Sequence, residues 1–296
     1  MRQRRQDDSK GTPEAPGKPR AGISIAGAGN WGSSLAAAAV AAGIPLLEVV
    51  VRRAKDRRRR FGPASVVLSA EARWDAELIW ICVPDDEISG VAAEIASLRP
   101  GLRGQTVVHS SGALSVEALA AVKQAGAAVG GIAPVFSFPT REPVRLEGVM
   151  FVVEAGSEAQ RRRLNSLVRR LRGRPLRVDS GSKAMYHAAA TMASPLMVSA
   201  AHAAVAAARL AGLGRADAEA VVKALAIASL GNYFARGAER SFSGAFARGD
   251  AETVELHLRA LLAHPRLHGI YVQLAGHAIG SFSVKNRVDL ERSLDA

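Results

Sequence analysis

From residue 22 to about residue 179 the chain alternates short apolar runs with segments of helical period. Runs at 22–26, 46–51, 66–69, 78–83, 106–109, 127–132, 149–154 and 175–178 read as strands. Segments at 33–42, 85–98, 115–124 and 157–172 read as helices between them. The run 78–83 contains no charged or hydroxyl residue, as a strand buried on both faces of a parallel sheet requires. Such regular alternation predicts an α/β fold, with a doubly wound, Rossmann-like parallel sheet in the N-terminal part. After Ser180 the strand pattern stops. Residues 183–212 read as one long helix with a kink at Pro195, and 215–230, 250–263 and 265–279 as further helices. Asp250, Glu252 and Thr253 supply capping and first-turn acidic groups for the third of these. The expected organisation is a polar tail over 1–20, a sheet domain over 21–179 and an all-α domain over 180–296.

The glycines sharpen the picture. Gly27, Gly29 and Gly32 form a G-x-G-x-x-G turn, with Asn30 and Trp31 inside it. A strand precedes the turn, and a helix and a second strand follow within about 30 residues, the βαβ context of a dinucleotide-binding unit. Gly27 suits a tight turn. Gly29 lets backbone approach a pyrophosphate, and Gly32 lets helix and strand pack closely. The helix N-terminus then offers free N–H groups to the phosphates. At the end of the second strand, NAD-binding chains usually place a carboxylate for the ribose hydroxyls. Here the strand runs into Arg52 and Arg53, with no acid before Asp56. A guanidinium suits a 2′-phosphate, so the pattern predicts NADP (NADPH) with Arg52 and Arg53 as readers. The competing reading is that both arginines are merely solvated.

Composition narrows the functional classes. Of 296 residues, 48% are hydrophobic and 22% charged, enough for a core. The single cysteine, Cys82, excludes an intramolecular disulfide framework and cysteine-built zinc sites within one chain. The N-terminal 20 residues are polar and lack an apolar core, so they read as a disordered tail rather than a signal peptide. The stretch 188–208 carries no Asp, Glu, Lys or Arg and is long enough to span a bilayer. Ser194, Pro195, Ser199 and His202 interrupt it and alanine dominates it, so a buried helix of a cytoplasmic protein is expected, with no membrane span. The net charge of +12 is spread over the tail, a run from Arg52 to Arg60 and a run from Arg161 to Arg177. It lacks aromatic interleaving and a nucleic-acid motif, which argues against a nucleic-acid partner. His264 and His268 stand i, i+4 around Pro265 without an acidic companion, and no catalytic metal is expected.

The segments GAGNWG, ICVPDDEI, HSSGAL, GIAPVFSF, SKAMYHAAATMAS and GAFARGDAETVELHL, taken in this order, resemble bacterial Rossmann-like proteins with a DUF2520 C-terminal domain. These are also described as F420-dependent NADP-oxidoreductase-like, and look related to pyrroline-5-carboxylate and ketopantoate reductases and 6-phosphogluconate-type dehydrogenases. The resemblance covers about residues 22–280. It implies an NADP-binding domain, a helical dimerisation domain, hence a homodimer, and an active site between the domains. The chain departs from the family at two places. Ala133 stands where a His commonly precedes Pro134, and Pro195 where an Asn often follows Ser194. Both changes would take polar groups out of the cleft.

The same resemblance points to the start of the long helix. Lys183 and His187 share a face there, and related dehydrogenases use a Lys with a polar partner four residues on. A cation near a carbonyl oxygen stabilises the charge that hydride transfer builds and can return a proton. An exposed lysine and a packing histidine are the plainer alternatives. His109, Ser110 and Ser111 end a central strand, where open sheets bind ligands. Ser111 is a third candidate catalytic residue and His109 and Ser110 candidate cofactor contacts, against simple helix capping. Val83 and Pro84 end another strand beside the expected cofactor. Arg248 could hold an anionic group, and Asp250 could cap a helix. The expected activity is NADP-dependent hydride transfer to or from a small carbonyl or imine compound, with a ketopantoate-like 2-keto acid one candidate substrate. A non-catalytic NADP-binding sensor or partner-binding protein is the alternative. The sequence is silent on use of F420.

Overall fold

The computed structural model describes residues 18–295. The expected tail therefore lies outside the described residues as far as position 17, and Arg20 already opens the first strand. The strands are β1 (Arg20–Ala26), β2 (Leu46–Val51), β3 (Ser65–Leu68), β4 (Ala76–Ile81), β5 (Thr106–His109), β6 (Ala128–Pro134), β7 (Met150–Ala155) and β8 (Arg174–Leu176). They form one sheet in the order β3-β2-β1-β4-β5-β6-β7-β8. From β3 to β6 every pairing is parallel. β7 is the exception within this mostly parallel sheet. It runs antiparallel to β6, and β8 is parallel to β7. No helix separates β6 from β7, so the chain can return alongside without a crossover.

Alternation along the strands explains the layering. In β4 and its continuation, Leu78, Trp80 and Cys82 enter one core, whereas Ile79 and Ile81 enter the other. The first core is closed by α1 (Asn30–Ala41), through Leu35, Ala36 and Ala39, with Leu164 and Val168 of a later helix. The second is closed by α2 (Asp85–Leu98), through Ile88, Ala92 and Ile95. Val122 of α3 (Ala120–Gln124) completes that layer, and α4 (Glu158–Arg170) is the helix that carries Leu164 and Val168. Small alanines on α1 let it lie close to the sheet. Strand order reverses between β1 and β4, so their carboxyl ends border the crevice where such sheets take ligands.

The long helix is three pieces: α5 (Lys183–Thr191), a π turn over Met192–Leu196, and α6 (Met197–Leu210). Pro195 lies in the π turn. It has no N–H to give the helix ladder and its ring crowds the preceding turn, which accounts for the wider turn there. Contacts divide the chain into two compact units, between Ala190 and Thr191, so α5 goes with the sheet. The second unit holds α6, α7 (Arg215–Arg236), α8 (Ala238–Ser241), α9 (Ala245–Arg248), α10 (Ala251–Leu261), α11 (Pro265–Ser281) and α12 (Arg287–Asp295). Val254, Leu258, Ile279 and Leu290 make its small core. The stretch 183–210 is long and apolar enough to cross a membrane by length and composition, and its most apolar window is not buried within the chain. It is thus not the buried helix the sequence suggested, as far as one copy of the chain goes.

Candidate functional site

The Gly-rich turn connects β1 to α1. Gly27 has φ +104°, and a Cβ there would lie 2.7 Å from the Cys82 carbonyl oxygen and 2.9 Å from Val83 Cγ1. A Cβ on Gly32 would lie 1.9 Å from the Gly27 carbonyl oxygen. Only glycine fits at either place. Gly29 differs: nothing stands within 4 Å of a Cβ there, so the backbone faces open space. Gly29 is also the N-cap of α1, and no side chain caps that helix. Uncapped first-turn N–H groups beside open space are what a phosphate needs. Val83 borders the turn, and Pro84 is the N-cap residue of α2.

Other candidates for cofactor contact spend their side chains within the protein. Asn30 Nδ2 donates to the Phe138 carbonyl (2.7 Å). Trp31 Nε1 donates to Ser110 Oγ (2.6 Å), and so does Trp80 Nε1 (2.7 Å). Ser110 therefore ties the end of β5 to the start of α1. The Trp31 ring packs on Phe138 at 5.0 Å and on Phe151 at 6.0 Å. Arg52 pairs with Glu87 at 2.6 Å and Arg53 with Asp56 at 3.0 Å, both from exposed positions at the end of β2. They stand at the expected place for a 2′-phosphate, already engaged by carboxylates.

A second cluster gathers around the end of β5. His109 is fully buried, and its Nδ1 accepts from the Ser111 backbone N–H (3.1 Å). Burial, and then the nearby Lys183 ammonium, push its imidazolium pKa down to about 4, although Glu154 opposes the shift. His109 is thus a neutral interior ring. Ser111 Oγ donates to Asp85 Oδ2 (2.7 Å) and accepts from the N–H groups of Ala113 and Leu114. It fixes the loop after β5 to the start of α2. Burial raises the Cys82 thiol to about 12, so this cysteine is inert at neutral pH.

Lys183 opens α5, and its side chain is only 3% exposed. Its Nζ donates to Glu154 Oε2 (2.8 Å) and to the Leu114 carbonyl. The lysine is therefore neither an exposed helix-terminal residue nor directed at solvent. It joins α5, β7 and the loop after β5. Glu154 is the partner that sequence reasoning missed. Its only signal is a carboxylate inside the apolar run MFVVEA. His187, one turn after Lys183, is exposed, and its ring reaches Gly112: a Cβ on Gly112 would lie 3.0 Å from His187 Cδ2. The three catalytic candidates thus converge on residues 109–115. Of these three, His187 is the one left accessible. Ala133 is buried on β6, opposite Val152.

In the second unit, Arg248 lies 3.8 Å from Asp250. Asp250 caps α10, accepting from the Thr253 N–H (3.1 Å) and from Thr253 Oγ1 (2.8 Å). Among the described residues no group of three or more His, Cys, Asp or Glu side chains is arranged to hold a metal ion.

Residues 7–134 match the family described as Rossmann-like domain, and residues 149–278 match the domain of unknown function DUF2520. No curated protein matches the chain. A Bacteroides fragilis protein provisionally described as an NADP oxidoreductase superposes with a TM-score of 0.69 at 20% identity, covering 86% of this chain and 96% of that one. A reductive aminase from Aspergillus terreus, in complex with NADPH and ethyl-5-oxohexanoate, gives 0.63 at 16% identity, over 92% and 99%. A Plasmodium falciparum pyrroline carboxylate reductase with NADP bound gives 0.54 at 12% identity, over 94% and 97%. At these identities the likeness establishes a shared fold.

Proposed function

This chain joins a Rossmann-like domain to a DUF2520 domain, and from that premise we propose that it is an NADP(H)-dependent oxidoreductase acting on a small carbonyl or imine compound. The observation that carries the reading is the contrast among three glycines. Gly27 and Gly32 have no room for a side chain, while Gly29 opens onto free space at an uncapped helix N-terminus. That is a cradle for a dinucleotide pyrophosphate. The solved relatives that carry NADPH or NADP share this fold. Arg52 and Arg53 would read the 2′-phosphate, exchanging Glu87 and Asp56 for a more strongly charged anion.

The bound nicotinamide would supply or accept the hydride. The chain's own task is to bind, orient and handle the proton. His187 is exposed beside Gly112 and is suited to donate a proton to the oxygen or nitrogen that gains charge. Lys183 acts as a positioning residue. Its bonds to Glu154 and Leu114 hold α5, and with it His187, against the end of β5. Ser111, held by Asp85, positions the same loop. A 2-keto acid of the ketopantoate type and cyclic imines are the substrates to test first.

The inward Lys183 also supports a second reading, in which the protein binds NADP(H) without turnover and serves as a sensor. A substrate panel of 2-keto acids and cyclic imines with NADPH decides between them. Turnover that His187→Ala reduces at least about 100-fold supports the enzyme. Binding of NADPH without turnover on any member supports the sensor.

We further read the chain as a cytoplasmic homodimer. Leu196, Val198, Leu225, Ile227 and Phe234 are all more than half exposed and give the second unit an apolar surface. A second copy would cover it.

A further inference from the structure

Arg59 emerges from the structure with a role that its place in an arginine run conceals. Its side chain returns from the segment after β2 to the Gly-rich turn. There it donates to the Ala28 carbonyl and, 2.8 Å away, to Ser33 Oγ in the first turn of α1. The guanidinium lies 4.8 Å from the centre of the Phe61 ring. Its neighbours in the run behave otherwise: Arg57 pairs with Glu71, and Arg60 donates to the Arg59 carbonyl.

The electrostatics around Arg59 favour an added anion. Asp56, the carboxylate whose charge acts on Arg59, is taken by Arg53 at 3.0 Å and lies 3.9 Å from Arg141. Among the described residues Arg59 makes no ion pair, although it is partly buried. Burial, and then the charge of Arg141, lower its pKa, with Asp56 opposing. A partly desolvated cation held next to a second cation, over a backbone turn with free N–H groups, is a place where a phosphate gains from every side.

We propose that Arg59 binds the pyrophosphate of the dinucleotide, exchanging the Ala28 carbonyl and Ser33 hydroxyl for phosphate oxygens. The proposal rests on the dinucleotide reading of the Gly-rich turn. It separates two anion sites by position. Arg59 touches the turn and the first turn of α1, which face a pyrophosphate. Arg52 and Arg53 lie at the end of β2, where the adenosine ribose is read. Arg59 should therefore act on NADPH and NADH alike.

Binding calorimetry of the full chain, unaltered and as Arg59→Gln and Arg59→Lys, with NADPH and with NADH, tests this. Arg59→Gln is expected to weaken both ligands by the same factor, about 10-fold or more, leaving their affinity ratio unchanged. Arg59→Lys, which keeps the charge and loses the fork, should fall between. Thermal unfolding checks that each variant is folded, and the Lys variant carries the comparison if the Gln variant is not. Loss confined to NADPH would overturn the proposal by making Arg59 a reader of the 2′-phosphate. Unchanged binding of both would overturn it by making Arg59 structural. Failure of the unaltered protein to bind either ligand would end the dinucleotide reading itself, and the proposal with it.

Discussion

Removing the Lys183 ammonium is the perturbation with the largest expected effect on the fold. The pair it forms with Glu154 is 2.8 Å long, with side chains 3% and 6% exposed. In so buried a setting the charges have already lost their water, and their attraction compensates for it. Lys183→Met preserves the stem and deletes the charge, leaving the Glu154 carboxylate inside without the ammonium that faces it. Breaking a buried pair from one side costs about 3–5 kcal/mol. In a domain of this size, 1 kcal/mol corresponds to roughly 2–4 °C, so the midpoint should fall by about 10 °C. Lys183→Met/Glu154→Gln removes the opposite charge as well and should recover a substantial part of that loss. Denaturant unfolding of the three proteins, followed by far-UV circular dichroism, measures both quantities. A loss below about 1 kcal/mol for Lys183→Met, or no recovery in the double variant, would refute the reasoning. Either result would mean that the attraction between Lys183 and Glu154 does not outweigh the cost of burying their charges.

Further consequences are open to measurement. Gly32→Ala forces a Cβ to within 1.9 Å of a backbone oxygen and should impair folding, whereas Gly29→Ala should leave thermal stability within about 0.5 kcal/mol and still weaken dinucleotide binding. His109 is held neutral in the fold, with its pKa falling from 6.5 to about 4. The unfolded chain then binds more protons between these values, so stability is full above pH 6.5 and declines as pH falls towards 4. The decline is roughly 3 kcal/mol from this group, and His109→Asn should flatten the unfolding free energy across that window. Sedimentation should give twice the 31.0 kDa chain mass, and Leu225→Asp with Phe234→Asp should shift the protein towards monomer.

Much of the sheet was legible because its strands are buried on both faces. β2 and β5 fall at the expected residues, since LLEVVV and TVVH are bounded by clear breaks. The start of α1 was not. Asn30, Trp31 and Gly32 look like turn residues, but the helix begins inside the glycine motif. The reversed direction of β7 left no trace, because side-chain alternation is the same in either orientation. α12 was missed for a different reason: Leu290 and Ser293 are its buried positions amid charged neighbours, too few for a visible apolar stripe.

At the site, the glycine turn was readable from its spacing together with the strand before it and the helix after it. The roles of Lys183, Glu154 and Arg59 were not. Lys183 and Glu154 are 29 positions apart, and Arg59 and Ser33 are 26 apart. Such pairings follow from which strands adjoin, which the residues themselves do not state. Ser110 illustrates the same point: an apparent ligand hydroxyl is the acceptor for two indoles brought from other strands and helices.

Titration of the purified, unaltered protein with NADPH and, in parallel, NADH tests the central claim most directly. The account predicts micromolar-range binding of NADPH and NADH binding at least about 10-fold weaker, with the difference abolished in Arg52→Ala/Arg53→Ala. Equal affinity for the two would contradict the role given to Arg52 and Arg53. Binding of neither would contradict the dinucleotide site, and the proposed oxidoreductase with it.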